Sequence, residues 1–226
     1  MKLSRFKIDL FIECPHCFHL DRVEGIKRPP GYPFTLNNAV DSLLKKEFDV
    51  HRVNGTSHPL QAHLNLVPSN NPNMDQWRNS LRGGVGYYHP NHDCTYFGGI
   101  DDLWVDDHNI HYVVDYKATA RANPVMALPE WADGYKRQAE FYQWLLRKNG
   151  LQVSDTAYFV YCTGDSSAPD FKGKISFHME VIAYEGSGNW IESTLDAVQE
   201  VLALTDSPEP SDNCTYCRYT SARGIR

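Results

Sequence analysis

The spacing of apolar residues along the chain predicts where helices and strands lie. Apolar residues three and four apart predict amphipathic helices over residues 36–50, 128–150 and 189–204. Alternating or continuous apolar runs predict strands over 94–105, 110–118, 155–164 and 174–184. Residues 1–33 and 51–93 are rich in proline or polar residues, so we expect mostly irregular chain there. Exceptions are a short helix near Trp77 and strand character from about residue 85.

The order of these elements predicts an α/β fold. Helix, strands, helix, strands and helix follow one another, which is typical of a mixed central β-sheet flanked by helices. The polar turn at 106–109 makes the strands on either side of it a hairpin. A length of 226 residues suits one domain, so we expect residues 1–226 to form a single domain.

Composition and charge narrow the class of protein. Apolar residues make up 42% of the chain, which is enough for a core, and the formal net charge is -6. Proteins that passively coat nucleic acid are usually basic, so this charge argues against that class. It does not exclude an enzyme that acts on nucleic acid, because bound cations can reverse the local charge. The sequence has no long apolar run typical of a membrane span or a signal peptide, so we expect a cytoplasmic protein.

Charged residues at the end of an apolar strand suggest a catalytic site. Asp115 and Lys117 follow "HYVV", and their side chains share one face of the predicted strand. Asp101, on the preceding strand, is expected to lie across from Asp115. Two such carboxylates repel each other and need a cation between them, and Mg²⁺ or Mn²⁺ suits oxygen ligands. A lysine beside the metal can position an attacking water, which predicts metal-assisted phosphodiester hydrolysis; a structural ion pair is the alternative.

Four other acids are expected to play no part in this site. They are interpreted as turn or solvent-facing residues: Asp49, Asp102, Asp106 and Asp107.

The full set of motifs resembles the PD-(D/E)xK nuclease superfamily, and within it the RecB-like branch. The motifs are "GGID", then "DYK" after thirteen residues, then "QAEFY" on the next helix. The resemblance implies a restriction-endonuclease-like core and a DNA substrate. It also implies that Asp101, Asp115 and the carbonyl group of Tyr116 hold Mg²⁺ or Mn²⁺, with Lys117 as a catalytic residue. Gln138 and Tyr142 are four residues apart on one helix face. The resemblance implies that this face lies towards the active site and the DNA.

The same branch carries a histidine on an early helix, and this chain departs from that pattern. In "LNNAVDSLLKKEFD", Asp41 stands where the histidine is expected. An aspartate can also bind a metal, so Asp41 is a candidate further ligand. A capping or solvent-facing role for Asp41 stays open.

The cysteines predict a second metal site. Cys14 and Cys17 form one C-x-x-C pair, and Cys214 and Cys217 form another near the opposite terminus. Two such pairs can complete a four-thiolate site that joins the two ends of the domain. The remaining cysteines, Cys94 and Cys162, are interpreted as plain buried residues.

The metal at the four cysteines is left open between zinc and a [4Fe–4S] cluster. The chain resembles the CRISPR-associated adaptation nucleases of the RecB-like branch, which hold such a cluster with one N-terminal and three C-terminal cysteines. The arrangement here is two and two, which keeps zinc as a rival.

The sequence therefore predicts a metal-dependent DNA nuclease acting in repair, recombination or defence. Its expected partners are DNA and a helicase or another subunit of such a system, with no membrane. Arginines beyond the last cysteine pair are candidates for phosphate contact: Arg218, Arg223 and Arg226. Two alternatives stay open: a non-catalytic DNA-binding or scaffolding module on the same fold, and a zinc-binding regulator of unrelated chemistry.

Overall fold

The computed structural model describes residues 1–33 and 35–224, and it confirms a mixed α/β chain. Its helices are α1 (Arg5–Glu13), α2 (Pro15–Arg22), α3 (Thr35–Asn54), α4 (Met74–Trp77), α5 (Asp133–Lys148), α6 (Ile191–Leu202) and α7 (Thr215–Ala222). Its strands are β1 (Lys2–Ser4), β2 (Val67–Pro68), β3 (Val85–His89), β4 (Cys94–Gly98), β5 (Asp102–Val105), β6 (His111–Arg121), β7 (Thr156–Asp165) and β8 (Phe177–Glu185).

The expectation of irregular chain over residues 1–33 is wrong. Strand β1 and helices α1 and α2 occupy most of this segment. Pro15 is the first residue of α2, a position where proline is favourable because its fixed φ suits the helix and no N–H is needed.

The single strand predicted over 94–105 is two strands. β4 ends at Gly98 and β5 begins at Asp102, and the two belong to different sheets. At the break the chain passes close to Ser80, since a Cβ at Gly99 would lie 3.1 Å from both the Cβ and the backbone nitrogen of Ser80. Asp101 therefore lies between two strands rather than within one.

Helix α5 begins five residues later than its apolar pattern predicts. The N–H of Ala132 donates a hydrogen bond to the carbonyl oxygen of Pro129, forming a turn before the helix. Trp131 lies in this turn with 70% of its surface exposed. The helix itself has an apolar face and ends near Gly150, as predicted.

The described chain divides into two compact units. The first contains Met1–Tyr32, Tyr88–Tyr96 and the described residues from Asn189 onwards. It includes the helices α1, α2, α6 and α7. Inside it, buried His19 joins distant segments, since its Nε2 lies 3.1 Å from the carbonyl oxygen of Leu204.

The second unit contains Pro33–Tyr87 and Phe97–Gly188 and is built on a five-stranded sheet. The strand order is β2-β5-β6-β7-β8, with β6 and β7 parallel and the other neighbours antiparallel. The predicted hairpin is confirmed by the pairing of β5 with β6, which sets Asp102 opposite Val114. Helix α5 connects β6 to β7, as a parallel pair requires.

Helix α3 packs on this sheet through an aromatic core. The ring of Phe48 lies 5.6 Å from the rings of both Trp104 and Tyr116, measured between centroids. Leu44 is buried beside them. Burying one such side chain stabilises a fold by about 1.5–3 kcal/mol, so this contact holds α3 against the strands that carry the candidate site.

Candidate active site and candidate metal centre

A cavity of about 640 Å³ opens in the second unit, between the first turns of α3 and the later half of β6. Its lining includes four of the predicted site residues, Asp41, Asp101, Tyr116 and Lys117. Asn37 closes one side, since its Nδ2 donates a hydrogen bond of 2.8 Å to the carbonyl oxygen of Ala118. The cavity is therefore polar and surrounded by residues that the sequence motifs single out.

Asp115 and Lys117 are paired on β6. The side chain of Asp115 is 2% exposed, and its carboxylate forms an ion pair with the ammonium group of Lys117. The two residues are two apart in a strand, so their side chains lie on one face. A buried carboxylate is costly unless a cation lies beside it, and Lys117 supplies that charge here.

Asp101 is held next to these residues by the backbone. It directly precedes Asp102, which pairs with Val114, so it lies at the start of the hairpin near Asp115. The N–H of Tyr116 donates a hydrogen bond of 3.0 Å to Asp101 Oδ2. The Asp101 carbonyl oxygen accepts from Arg78 Nε at 3.0 Å, which fixes the backbone as well.

Asp41 joins Asp101 through a lysine that the sequence motifs do not include. Lys45 Nζ lies 2.9 Å from Asp41 Oδ2 and 3.2 Å from Asp101 Oδ1. Burial and the nearby charge of Asp101 raise the pKa of Asp41 above its usual value. Burial would lower the pKa of Lys45, but the charges of Asp101 and Asp41 outweigh it and raise that pKa.

Helix α5 supplies the other two predicted residues. Gln138 Oε1 accepts from Lys117 Nζ at 3.4 Å, and Gln138 Nε2 lies 3.5 Å from the hydroxyl oxygen of Tyr142. Tyr142 is buried, so its link with the cavity runs through Gln138. Lys117 Nζ also lies 4.1 Å from the ring centroid of Tyr135, an attraction between cation and ring that holds the ammonium group in place.

The interpretation of Asp102 as a turn or solvent-facing residue is wrong. Its side chain is completely buried, and its carboxylate binds Arg52, Arg78 (at 3.1 Å) and the hydroxyl group of Tyr116 (at 2.6 Å). Burial and the charge of Asp102 raise the pKa of Tyr116 well above its usual value. Asp49, interpreted in the same way, lies on α3 with 42% of its side chain exposed, and it completes the network at 2.7 Å from Arg78. Two acids and two arginines thus neutralise one another below the site.

The other two acids agree with their interpretation. Asp106 makes the predicted turn, because its Oδ1 accepts from the N–H groups of His108 and Ile110. Asp107 is exposed, as expected.

The predicted four-cysteine cluster is present in the first unit. The sulfur atoms of Cys14, Cys17, Cys214 and Cys217 all lie within 4.8 Å of one another. Three of these sulfur–sulfur distances are 3.4 Å (Cys17 to Cys217), 3.7 Å (Cys17 to Cys214) and 3.8 Å (Cys14 to Cys217). Four thiolates about 2.3 Å from a tetrahedral zinc ion are roughly 3.8 Å apart, so the sulfur positions fit a single ion.

Arg28 lies against this cluster and was not predicted from the sequence. Its guanidinium donates to Cys214 Sγ at 3.4 Å and pairs with Glu13 at 2.7 Å. Backbone hydrogen bonds overcome the effect of burial and lower the pKa of Cys14 to about 6. A cation and a readily ionised thiol both suit a site that binds metal through thiolates. Cys94 and Cys162 are buried in strands, as expected.

The basic residues near the C-terminus are exposed on α7 and just after it. Arg218 and Arg223 are both exposed, and Arg226 lies outside the described residues. Their contact with phosphate stays a prediction. Within the described part of the chain, none of the helices combines the length and apolar character needed to cross a membrane.

Comparison with known protein families agrees with the geometry. The family model of the PD-(D/E)XK nuclease superfamily matches residues 2–222, and the chain belongs to that superfamily. A search of curated proteins found no match. Members of the superfamily typically use a divalent metal, and their substrates are nucleic acids.

Proposed function

We propose that this protein is a Mg²⁺- or Mn²⁺-dependent DNA nuclease of the RecB-like branch, acting in repair, recombination or defence. The observation that carries the proposal is the ion pair between Asp115 and Lys117, in a chain that belongs to the PD-(D/E)XK nuclease superfamily. Lys117 lines the polar cavity together with Asp101. Carboxylates and a backbone carbonyl form a set of oxygen ligands that fits a hard divalent cation.

The proposed metal ligands are Asp101, Asp115 and the carbonyl oxygen of Tyr116, with Asp41 as a further ligand. When bound, such a cation supplies positive charge to the phosphate and makes a coordinated water more acidic. Asp101 is suited to this role because the N–H of Tyr116 and the guanidinium of Arg78 fix its side chain and backbone.

Lys117 is the proposed catalytic residue. An ammonium group has three donors; Asp115 and Gln138 take two, which leaves one for the attacking water or a phosphate oxygen. Gln138, supported by Tyr142, keeps Lys117 turned towards the cavity. In the reaction, the water loses one proton and its oxygen forms a bond to phosphorus, while the ester P–O bond breaks and the leaving oxygen takes up one proton.

We propose that the four cysteines bind one structural metal ion, and the short sulfur–sulfur distances favour zinc over a [4Fe–4S] cluster. Visible absorption of the purified protein distinguishes the two, because a cluster is coloured and zinc is not. A brown protein with four irons per chain would contradict zinc.

Cleavage of defined substrates tests the nuclease proposal. Linear and circular DNA, single- and double-stranded, and matched RNA are incubated with the protein in Mg²⁺, Mn²⁺ or EDTA. We expect metal-dependent cleavage of DNA that Asp115→Asn removes and Asp107→Asn, at an exposed acid, retains. Tight DNA binding with no cleavage under any condition would instead favour a non-catalytic DNA-binding module, alone or as the subunit of a helicase.

A further inference from the structure

Lys45 occupies an unusual position for a lysine on a helix surface. It follows Asp41 by one turn on α3, and its side chain is only 23% exposed. Its Nζ bridges Asp41 and Asp101, two carboxylates from different elements that both line the cavity. The next residue, Lys46, is exposed. The chain thus directs one of two adjacent lysines into the site.

A simple helix ion pair does not account for this arrangement. Pairs four residues apart on a helix form at the protein surface and need no burial. Here the ammonium group also contacts Asp101, which lies 56 residues away in the chain. A metal ion in such a site holds carboxylates from distant parts of the chain together, and the ammonium group of Lys45 does the same here.

The formal charges of the site support the same role. Asp41, Asp101 and Asp115 carry three negative charges, and Lys45 and Lys117 carry two positive ones, which leaves -1. The network below, with two acids and two arginines, adds nothing to this sum. One divalent cation brings the site to +1, which a phosphodiester of charge -1 neutralises. A second divalent cation would leave an excess of positive charge.

We propose that Lys45 takes the place of a second divalent cation, so that the active site binds one metal ion. This inference rests on the proposed nuclease function. Lys45 is a positioning residue: it holds Asp41 and Asp101 in a convergent arrangement that carboxylate repulsion would otherwise open. Without its charge, the same carboxylates are expected to accept a second ion.

The test is a titration of the whole protein with Mn²⁺, in which electron paramagnetic resonance measures the free ion. We expect one Mn²⁺ per chain in the natural protein and in Lys46→Met, the control at the exposed neighbour. Lys45→Met is expected to bind two, and its cleavage rate at saturating Mn²⁺ to fall by about tenfold or more. Lys45→Arg keeps the charge and is expected to bind one. If Lys45→Met does not fold, Lys45→Gln takes its place.

The outcomes separate this inference from the nuclease proposal. Two Mn²⁺ ions in the natural protein, or one in Lys45→Met, would overturn the role of Lys45 while leaving a cleaving enzyme intact. Absence of any Mn²⁺ binding beyond that of Asp115→Asn, together with absence of cleavage, would overturn the proposed function itself and the inference with it.

Discussion

Asp101 and Asp102 are neighbours in the chain but have different surroundings and different roles. The Asp101 side chain is 24% exposed at the cavity, whereas the Asp102 side chain is fully buried between two arginines and a tyrosine hydroxyl. Asp101 directly precedes β5 and Asp102 is its first residue. Successive residues of an extended chain point in opposite directions, so Asp101 faces the cavity while Asp102 supports the fold. Arg78 links the two, because it binds both the Asp101 carbonyl group and the Asp102 carboxylate.

Removing the charge of Asp102 is expected to destabilise the protein strongly. Asp102→Asn leaves Asp49, which is partly exposed, as the remaining carboxylate partner of both Arg52 and Arg78, and breaking a buried pair from one side costs about 3–5 kcal/mol. Asp107→Asn, at an exposed position, is expected to change the free energy of unfolding by less than about 0.5 kcal/mol. Urea unfolding followed by circular dichroism measures both. Equal midpoints for the two variants would show that the Asp102 network adds no stability.

The sequence predicts the pair of Asp115 and Lys117 but not the residues that surround it. A two-residue spacing is enough to put Asp115 and Lys117 on one face of a strand. The bridge from Lys45 to Asp101 depends on how α3 packs against the sheet, and no local pattern encodes that contact. The prediction for Asp102 is wrong for the same reason, since an aspartate beside a turn usually faces water.

Two glycines approach each other closely just before the segment that carries Asp101. Gly84 has a positive φ of 56°, and a Cβ there would lie 2.1 Å from the carbonyl oxygen of Gly98. The chain before β3 therefore passes directly against the end of β4. The apolar pattern of 94–105, which predicts one strand, cannot reveal this approach.

Gly84→Ala is expected to be much more destabilising than Gly55→Ala. Gly55 has a similar φ of 61°, but a Cβ there meets nothing within 4 Å. Both variants carry the cost of a positive φ, about 1 kcal/mol, and only Gly84→Ala adds a steric overlap of roughly 1–3 kcal/mol. Thermal unfolding compares them directly. Similar melting temperatures for the two would mean that the approach to Gly98 is not tight.

Helices and strands with clean periodicity are predicted well, and the reason is physical. Residues 36–50 and 155–164 bury one side or both sides of an element against a single core, so their patterns reflect that core directly. The helices α1 and α2 have only nine and eight residues, and polar side chains such as Asp9 and His19 are buried beside apolar ones such as Phe18. Their pattern is too brief to separate from irregular chain.

At the scale of the whole molecule, each compact unit carries its own candidate site. The second unit contains the acids and lysines of the active site, and the first contains the four cysteines and Arg28. The sequence motifs predict both sites, because each motif fixes ligands at short spacings. The prediction that residues 1–226 form a single functional domain remains a prediction.

Loss of one cysteine ligand is expected to release the metal and weaken the fold. Cys17→Ala removes a thiolate whose sulfur lies 3.4 Å from that of Cys217, whereas Cys94→Ala changes a buried cysteine outside the cluster. We expect metal analysis to give one zinc per chain in Cys94→Ala and none in Cys17→Ala. The melting temperature of Cys17→Ala is expected to fall below that of Cys94→Ala. Retained metal in Cys17→Ala would exclude Cys17 as a ligand.

Lys117 is proposed to act on the attacking water or the scissile phosphate, and single-turnover cleavage of linear DNA in Mn²⁺ measures that step. Lys117→Met is compared with the natural protein and with Lys172→Met, at a lysine that is 81% exposed. We predict that Lys117→Met binds DNA but cleaves it at least about 10²-fold more slowly, while Lys172→Met is unaffected. If Lys117→Met cleaved DNA as fast as Lys172→Met, Lys117 would not be a catalytic residue.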